Sequence, residues 1–171
     1  NKTHSEFIFV VDCSGSMSGI SITRASECLD LFIHSLPPES YFNIYRFGSL
    51  YEKLFEKSEK YTDTTAKSGI ELAKNLMANL GGTDIFADQN RHGQRQIFIM
   101  TDGEVSDVHK VLKLISDNTK NNRCFTIGIG RGCDAGLVEG IAKASYGKSD
   151  FVQEGDMISE KVIPQLMCSL S

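Results

Sequence analysis

The sequence predicts an α/β domain built as a doubly wound, mostly parallel sheet, with helices on both faces and one antiparallel edge strand. Short apolar runs take turns with segments of helical periodicity, the pattern of parallel strands joined by covering helices. The run Phe7-Ile-Phe-Val-Val11 is apolar at every position, as a strand buried on both faces must be. Proline and glycine fall at the joints between segments, as at Pro37-Pro38 and Gly81-Gly82.

Taken in order, Glu6 to Asp12 reads as the central strand. Ile22, Ala25, Leu29, Phe32, Ile33 and Leu36 recur at helical spacing, and Pro37-Pro38 ends that helix. Tyr41 to Phe47 is a second strand, and Gly48-Ser49 permits a tight return into Tyr51 to Phe55, the antiparallel edge. Ala66, Ile70, Ala73, Met77 and Leu80 mark a second helix that Gly81-Gly82 stops. Gln96 to Thr101 is a buried strand, followed by a helix on Val108, Val111, Leu112 and Ile115. A strand at Cys124 to Ile129 and a helix on Leu137, Ile141 and Ala144 come next. A short strand near Asp150 to Gln153 precedes a last helix on Ile158, Val162, Leu166 and Leu170.

With 171 residues, 40% of them hydrophobic and 23% charged, residues 1–171 suit one ordinary domain, read as a soluble part of something larger. A net charge of -4 without a run of Lys or Arg argues against nucleic acid or an anionic membrane as the main partner. The longest apolar runs fall far short of the roughly 20 residues a membrane helix needs, so no membrane insertion is expected, and no signal peptide is visible. Five cysteines without C-x-x-C spacing support neither a zinc site nor a complete disulfide framework. Reduced thiols and a cytoplasmic location are expected over secretion, although the sequon Asn1-Lys2-Thr3 pulls weakly the other way.

Ligands of open parallel sheets bind beyond the carboxyl ends of the strands, where the connections change direction. Three segments bring oxygen side chains to that edge: Asp12-Cys-Ser14-Gly-Ser16, Gly81-Gly82-Thr83-Asp84 and Thr101-Asp102-Gly103-Glu104. The alternation in Asp12-x-Ser14-x-Ser16 turns three of these side chains to one side of a loop and Cys13 to the other. Carboxylate, hydroxyl and water oxygens suit a hard cation such as Mg²⁺, which keeps several waters in a near-octahedral shell. With few carboxylates, such a cation retains positive charge for one more anionic ligand from outside.

These residues resemble the metal-ion-dependent adhesion site of a von Willebrand factor A domain. The likeness is nearest to the von Willebrand factor A domain-containing protein 5 group, intracellular proteins that also carry a VIT domain. Vault poly(ADP-ribose) polymerase and the inter-alpha-trypsin inhibitor heavy chains are similar but more distant. Supporting segments include Tyr41-Phe-Asn-Ile-Tyr, Leu80-Gly-Gly-Thr-Asp-Ile85, Thr101-Asp-Gly-Glu-Val105 and Gly128-Ile-Gly130, spread over nearly the whole chain. The resemblance implies a Rossmann-like fold and Mg²⁺, with Mn²⁺ or Ca²⁺ as substitutes, held by Asp12, Ser14, Ser16, Thr83 and Asp102. It implies a protein partner that completes the metal shell with an Asp or Glu, a neighbouring VIT domain, and no enzymatic activity. One stretch departs from the family pattern. Ile85 to Arg95 stands where the family has a helix and a longer loop, and eleven residues are a tight fit for a parallel crossover. Either the crossover is minimal or a stretch is missing from the sequence.

Each motif also has a plainer reading. A Ser-rich turn after a strand commonly caps the next helix. Asp84 and Glu104 suit solvated or supporting roles, Asp107 and Asp134 early-turn positions, and Cys13 a small buried hydrophobe. His4, His34, His92 and His109 lack metal-ligand spacing. Gly128-x-Gly130 lacks the third glycine of a dinucleotide loop, and Gly147-Lys148-Ser149 lacks the leading glycine of a phosphate loop. Met17 stands where a hydrolase elbow would place its serine. The expected function is Mg²⁺-dependent capture of a partner carboxylate. The alternatives are a structural domain with metal-independent contacts to a neighbour and, behind it, a metal-dependent enzyme.

Overall fold

The computed structural model describes residues 5–47, 51–78, 95–102, 122–130, 133, 135–144 and 147–170. Seven strands among them form a single sheet: β1 (Glu6–Asp12), β2 (Tyr41–Phe47), β3 (Tyr51–Lys53), β4 (Glu59–Lys60), β5 (Arg95–Thr101), β6 (Asn122–Ile129) and β7 (Ser149–Val152). The order is β3-β2-β1-β5-β6-β7, with β4 also paired to β2. Strands β2, β1, β5, β6 and β7 are parallel, while β3 and β4 run antiparallel along the outer side of β2. The chain leaves β1 towards β2 and later resumes on the other side at β5, so the switch point of the topology lies between β1 and β5.

β1 occupies the centre because its apolar run can be covered twice. Phe7, Phe9 and Val11 face a core shared with α1 (Ile20–His34), α2 (Asp63–Lys74) and α4 (Ile158–Ser169). Phe98 of β5 is the hub of that core, with ring centroids 5.5 Å from Phe9, 4.7 Å from Phe32 and 5.0 Å from Phe125. Such offset and tilted ring pairs add to the burial of area. Ile8, Val10, Ile97 and Ile99 are buried on the opposite face. There α3 (Ala135–Ala144) packs on β6, with Val138 and Ala142 buried and the Val138 carbonyl accepting the Thr126 hydroxyl at 2.9 Å.

The antiparallel edge forms where expected, but as a split strand. β3 ends at Lys53, two residues before the expected end at Phe55, and pairing resumes at Glu59. Buried Asn43 bridges the interruption: its amide donates to the Phe55 carbonyl at 2.9 Å and its oxygen accepts the Phe55 N–H at 3.0 Å. A polar side chain on β2 thus replaces ladder bonds that the interrupted edge does not make.

Three helix ends differ from expectation, the first being α1, which stops at His34 with Ser35 as its C-cap and leaves Leu36 beyond it. α2 opens with a reciprocal capping box between Thr62 and Thr65, but stops at Lys74 instead of reaching Leu80. The Asn75 backbone and side chain both donate to the Glu71 carbonyl, a local competition that closes helices. Met77 therefore lies beyond the helix and is exposed, and Leu80 falls outside the described residues. α4 ends at Ser169, leaving Leu170 past the last turn and 48% exposed. The helix expected on Val108 to Ile115 lies outside the described residues, as does the short crossover at 85–95 except for Arg95.

Gly147, part of the discarded phosphate-loop look-alike, has a structural reason to be glycine. A Cβ there would overlap the Cys124 carbonyl of β6, whereas Gly140 on α3 faces open space. Gly147→Ala is therefore expected to lower the melting temperature by more than 5 °C, on the order of 2 kcal/mol or more. Gly140→Ala is expected to raise it slightly, by about 0.5–1 kcal/mol of helix propensity. Thermal denaturation of the two variants checks both; equal effects would contradict this packing.

Candidate metal centre at the carboxyl edge

β1 delivers Asp12 to the switch point while keeping it 2% exposed. Its Oδ1 accepts the Ser14 N–H at 3.0 Å and the Ser14 hydroxyl at 2.6 Å, and its Oδ2 accepts the Thr101 hydroxyl at 2.8 Å. The Ser14 and Ser16 hydroxyls are 3.1 Å apart. After Ser14 the chain makes a single 3-10 turn, Gly15–Met17, pinned by Met17, which is fully buried in the core. Three oxygens thus gather on one side of the loop. Cys13 points into the core, and burial pushes its thiol up to about 12.

Capping does not account for these serines. The N-cap of α1 is Gly19, which has a positive φ of 84° and no side-chain bond to the helix, and the Ser14 side chain caps nothing at the 3-10 turn. Of the three loop serines only Ser18 gives its hydroxyl to a backbone carbonyl, that of Gly15.

The electrostatics of Asp12 run against its staying ionised. Burial raises its carboxyl above the ordinary range, bonds from Ser14 and Thr101 pull it part of the way back, and the neighbouring charge of Asp102 raises it again. At the other end of β1 the opposite arrangement holds. Glu6 accepts the Ser58 hydroxyl and pairs with the Arg95 guanidinium at 3.0 Å.

The structure therefore brings Asp12, Ser14 and Ser16 together, with Asp102 beside them at the end of β5. Thr83, Asp84, Glu104, Asp107 and Asp134 lie outside the described residues, as do His4, His92 and His109. His34 is exposed and pairs with Asp30 on α1. Thr101, at the head of the Thr101-Asp102-Gly103-Glu104 segment, holds Asp12 although spacing alone does not single it out. Its signal was a hydroxyl on the face where β5 otherwise carries Ile97 and Ile99, one step beyond the Val11–Met100 pair. Among the described residues no three His, Cys, Asp or Glu side chains converge. A cation held here would rest largely on hydroxyls. The donor set fits one: an octahedral shell at about 2.1 Å has edges of about 3 Å, close to the Ser14–Ser16 separation.

An α/β sheet with an oxygen-rich loop at its switch point defines a class of domain. Residues 5–151 match the von Willebrand factor type A domain, and the chain belongs to that family. It is 41% identical to human von Willebrand factor A domain-containing protein 5A over 187 aligned positions, covering 99% of this chain and 24% of that protein. The alignment is longer than the chain, so the relative carries residues with no counterpart here. The chain spans about a quarter of the length of that relative. Among solved structures, a von Willebrand factor type A protein from Catenulispora acidiphila has a TM-score of 0.76 at 16% identity, over 98% of this chain and 42% of that one. Proximal thread matrix protein 1 of the mussel byssus, with a zinc-occupied metal-ion-dependent adhesion site, has a TM-score of 0.66 at 16% identity, over 97% and 46%.

The raised carboxyl yields a prediction with a definite sign. A group whose folded pKa lies above its unfolded one destabilises the fold as pH rises through the folded value. In chelator at pH 7, Asp12→Asn should therefore melt higher than the wild type. The gap should close on acidification, as Asp12 protonates in the wild type. A lower melting temperature for Asp12→Asn at pH 7 in chelator would contradict this electrostatic account.

Proposed function

We propose that this domain is a divalent-cation-dependent protein-binding module that captures a partner Asp or Glu. In this reading Asp12, Ser14, Ser16, Thr83 and Asp102 hold the cation, Mg²⁺ first, with Mn²⁺ or Ca²⁺ as substitutes. One observation carries the proposal: Asp12 is a buried carboxylate whose partners are hydroxyls and an amide, and whose neighbouring charge among the described residues is a second carboxylate, not a cation. A bound divalent ion would supply the missing positive charge and an open position for an external carboxylate. Ser14 and Ser16 contribute oxygens without charge, so charge is left over for the partner. Thr101 fixes the Asp12 carboxyl group from the neighbouring strand. Ca²⁺ should serve less well, since it prefers more ligands at longer distances than this compact loop offers.

The reading is of a binding module and not of an enzyme. The Cys13 thiol beside Asp12 faces the core, and no described His or Lys side chain is seen to bond to the Asp12 cluster. The setting we infer is a longer cytoplasmic protein with a VIT domain nearby; among the described residues no helix is long and apolar enough to cross a membrane. A structural role with metal-independent contacts draws on exposed Met167 and Leu170 at the end of α4.

Mg²⁺ at about 100 times its dissociation constant should stabilise the native state by about 2.7 kcal/mol, which raises the melting temperature by about 5–10 °C. Asp12→Ala should abolish the shift. Partners recovered from extract with Mg²⁺ should be lost in chelator and lost to the Ser14→Ala and Asp102→Ala variants. Partners retained in chelator by all variants would overturn metal capture and favour the structural role.

A further inference from the structure

A sheet with free edges can be lengthened by an extended segment that pairs with their outward backbone groups. Among the described residues this sheet ends at β3 and β4 on one side and at β7 on the other. The first side is broken into pieces of three and two residues, too short to template a partner strand. β7, Ser149–Val152, is continuous. The Thr126 N–H donates to the Lys148 carbonyl at 3.0 Å and the Gly130 N–H to the Val152 carbonyl at 3.1 Å, so 148, 150 and 152 turn their backbone groups towards β6. Residues 149, 151 and 153 turn theirs outward. Two of those outward donors are already taken by carboxylates. The Phe151 N–H donates to Oδ1 of Asp150 at 2.9 Å, and the Gln153 N–H to Oδ2 of Asp156 at 2.9 Å. The Gln153 carbonyl accepts the Asp156 N–H at 3.2 Å, closing a turn in which Gly155 takes a positive φ of 90°. Asp150 is itself held in place, because Lys161 of α4 donates to the same Oδ1 at 3.3 Å.

We propose that Asp150 and Asp156 close the β7 edge to strand addition, and that what they keep out is the β7 of a second copy of this chain. Identical edges are self-complementary: a two-fold axis beside β7 sets two copies antiparallel, each giving outward N–H groups to the carbonyls of the other. Such a pair needs the donors of alternate residues, and those of Phe151 and Gln153 are engaged. A partner strand would exchange two bonds to carboxylates for two bonds to neutral carbonyls, which are about half as strong. Exposed Glu154 stands between the two positions, so a two-fold pairing also brings like charges together. The bond of Asp156 runs back to the edge and not forward into α4, whose N-cap is Met157. Two separate pieces of chain, the strand and the turn after it, thus each turn a carboxylate onto the same edge.

The test is amide hydrogen exchange of the wild type and of the double variant Asp150→Ala with Asp156→Ala, at about 10 μM and at about 0.5 mM, with the mass in solution followed by light scattering. In the wild type, exchange at Phe151 and Gln153 should be the same at both concentrations. In the dilute double variant these two amides should exchange at least about tenfold faster, since their bonds are gone. At the higher concentration they should slow again while the mass rises from one copy towards two. A double variant that keeps its cooperative melt and the mass of one copy throughout would overturn the proposal. So would a wild type whose Phe151 and Gln153 amides slow as concentration rises. If the double variant loses its cooperative melt, Asp156→Ala alone carries the same comparison at Gln153, with the same two outcomes.

Discussion

Strand β1 carries a carboxylate at each end, and the fold treats the two in opposite ways. At its entry, Glu6 is neutralised by Arg95 and tied by Ser58, so the charge is spent within the fold. At its exit, Asp12 is just as deeply buried but receives hydroxyl and amide donors, with Asp102 adding like charge. A buried ion without a counter-ion is costly. Among the described residues a cation meets the carboxylate at one end of the strand and none meets it at the other. The loop hydroxyls left free of helix capping, the tether from Thr101 and the anchoring of Met17 all keep oxygen atoms together around a carboxylate that no described cation meets.

The rest of the fold positions that edge. The aromatic hub at Phe98 joins β1, β5, β6 and α1, fixing the strands whose ends form the site. Parallel register sets Asp12 against the end of β5, where Thr101 can reach it. Asn43 and the split edge strand complete the far side of β2 without intruding on the switch point. The core is thus asked for rigidity and the loop for chemistry, a division common to α/β sheets.

Much of this was legible in the sequence. A two-faced apolar run such as Phe7 to Val11 can only be a central strand, and the periodicity of Ala25, Leu29, Phe32 and Ile33 left one helical reading. Helix ends were less legible, because Asn75 closes α2 through a bond to a carbonyl four residues back, while Met77 and Leu80 continue the apolar spacing regardless. The role of Asn43 was hidden, since nothing local distinguishes a strand asparagine that splints a neighbour. Asp12, Ser14 and Ser16 could be placed together from alternation alone. Thr101 needed the register between β1 and β5, which spacing does not give. Gly147 looked like a fragment of a phosphate loop because composition records a glycine but not the Cys124 carbonyl it must pass.

The central claim is that the charge left open at Asp12 is closed by a divalent cation. Crystals soaked in Mn²⁺, with data collected at the manganese absorption edge, test it most directly. One strong anomalous peak is expected within about 2–2.5 Å of both the Ser14 and the Ser16 hydroxyl oxygens. No peak at saturating Mn²⁺, or one away from this loop, would contradict it.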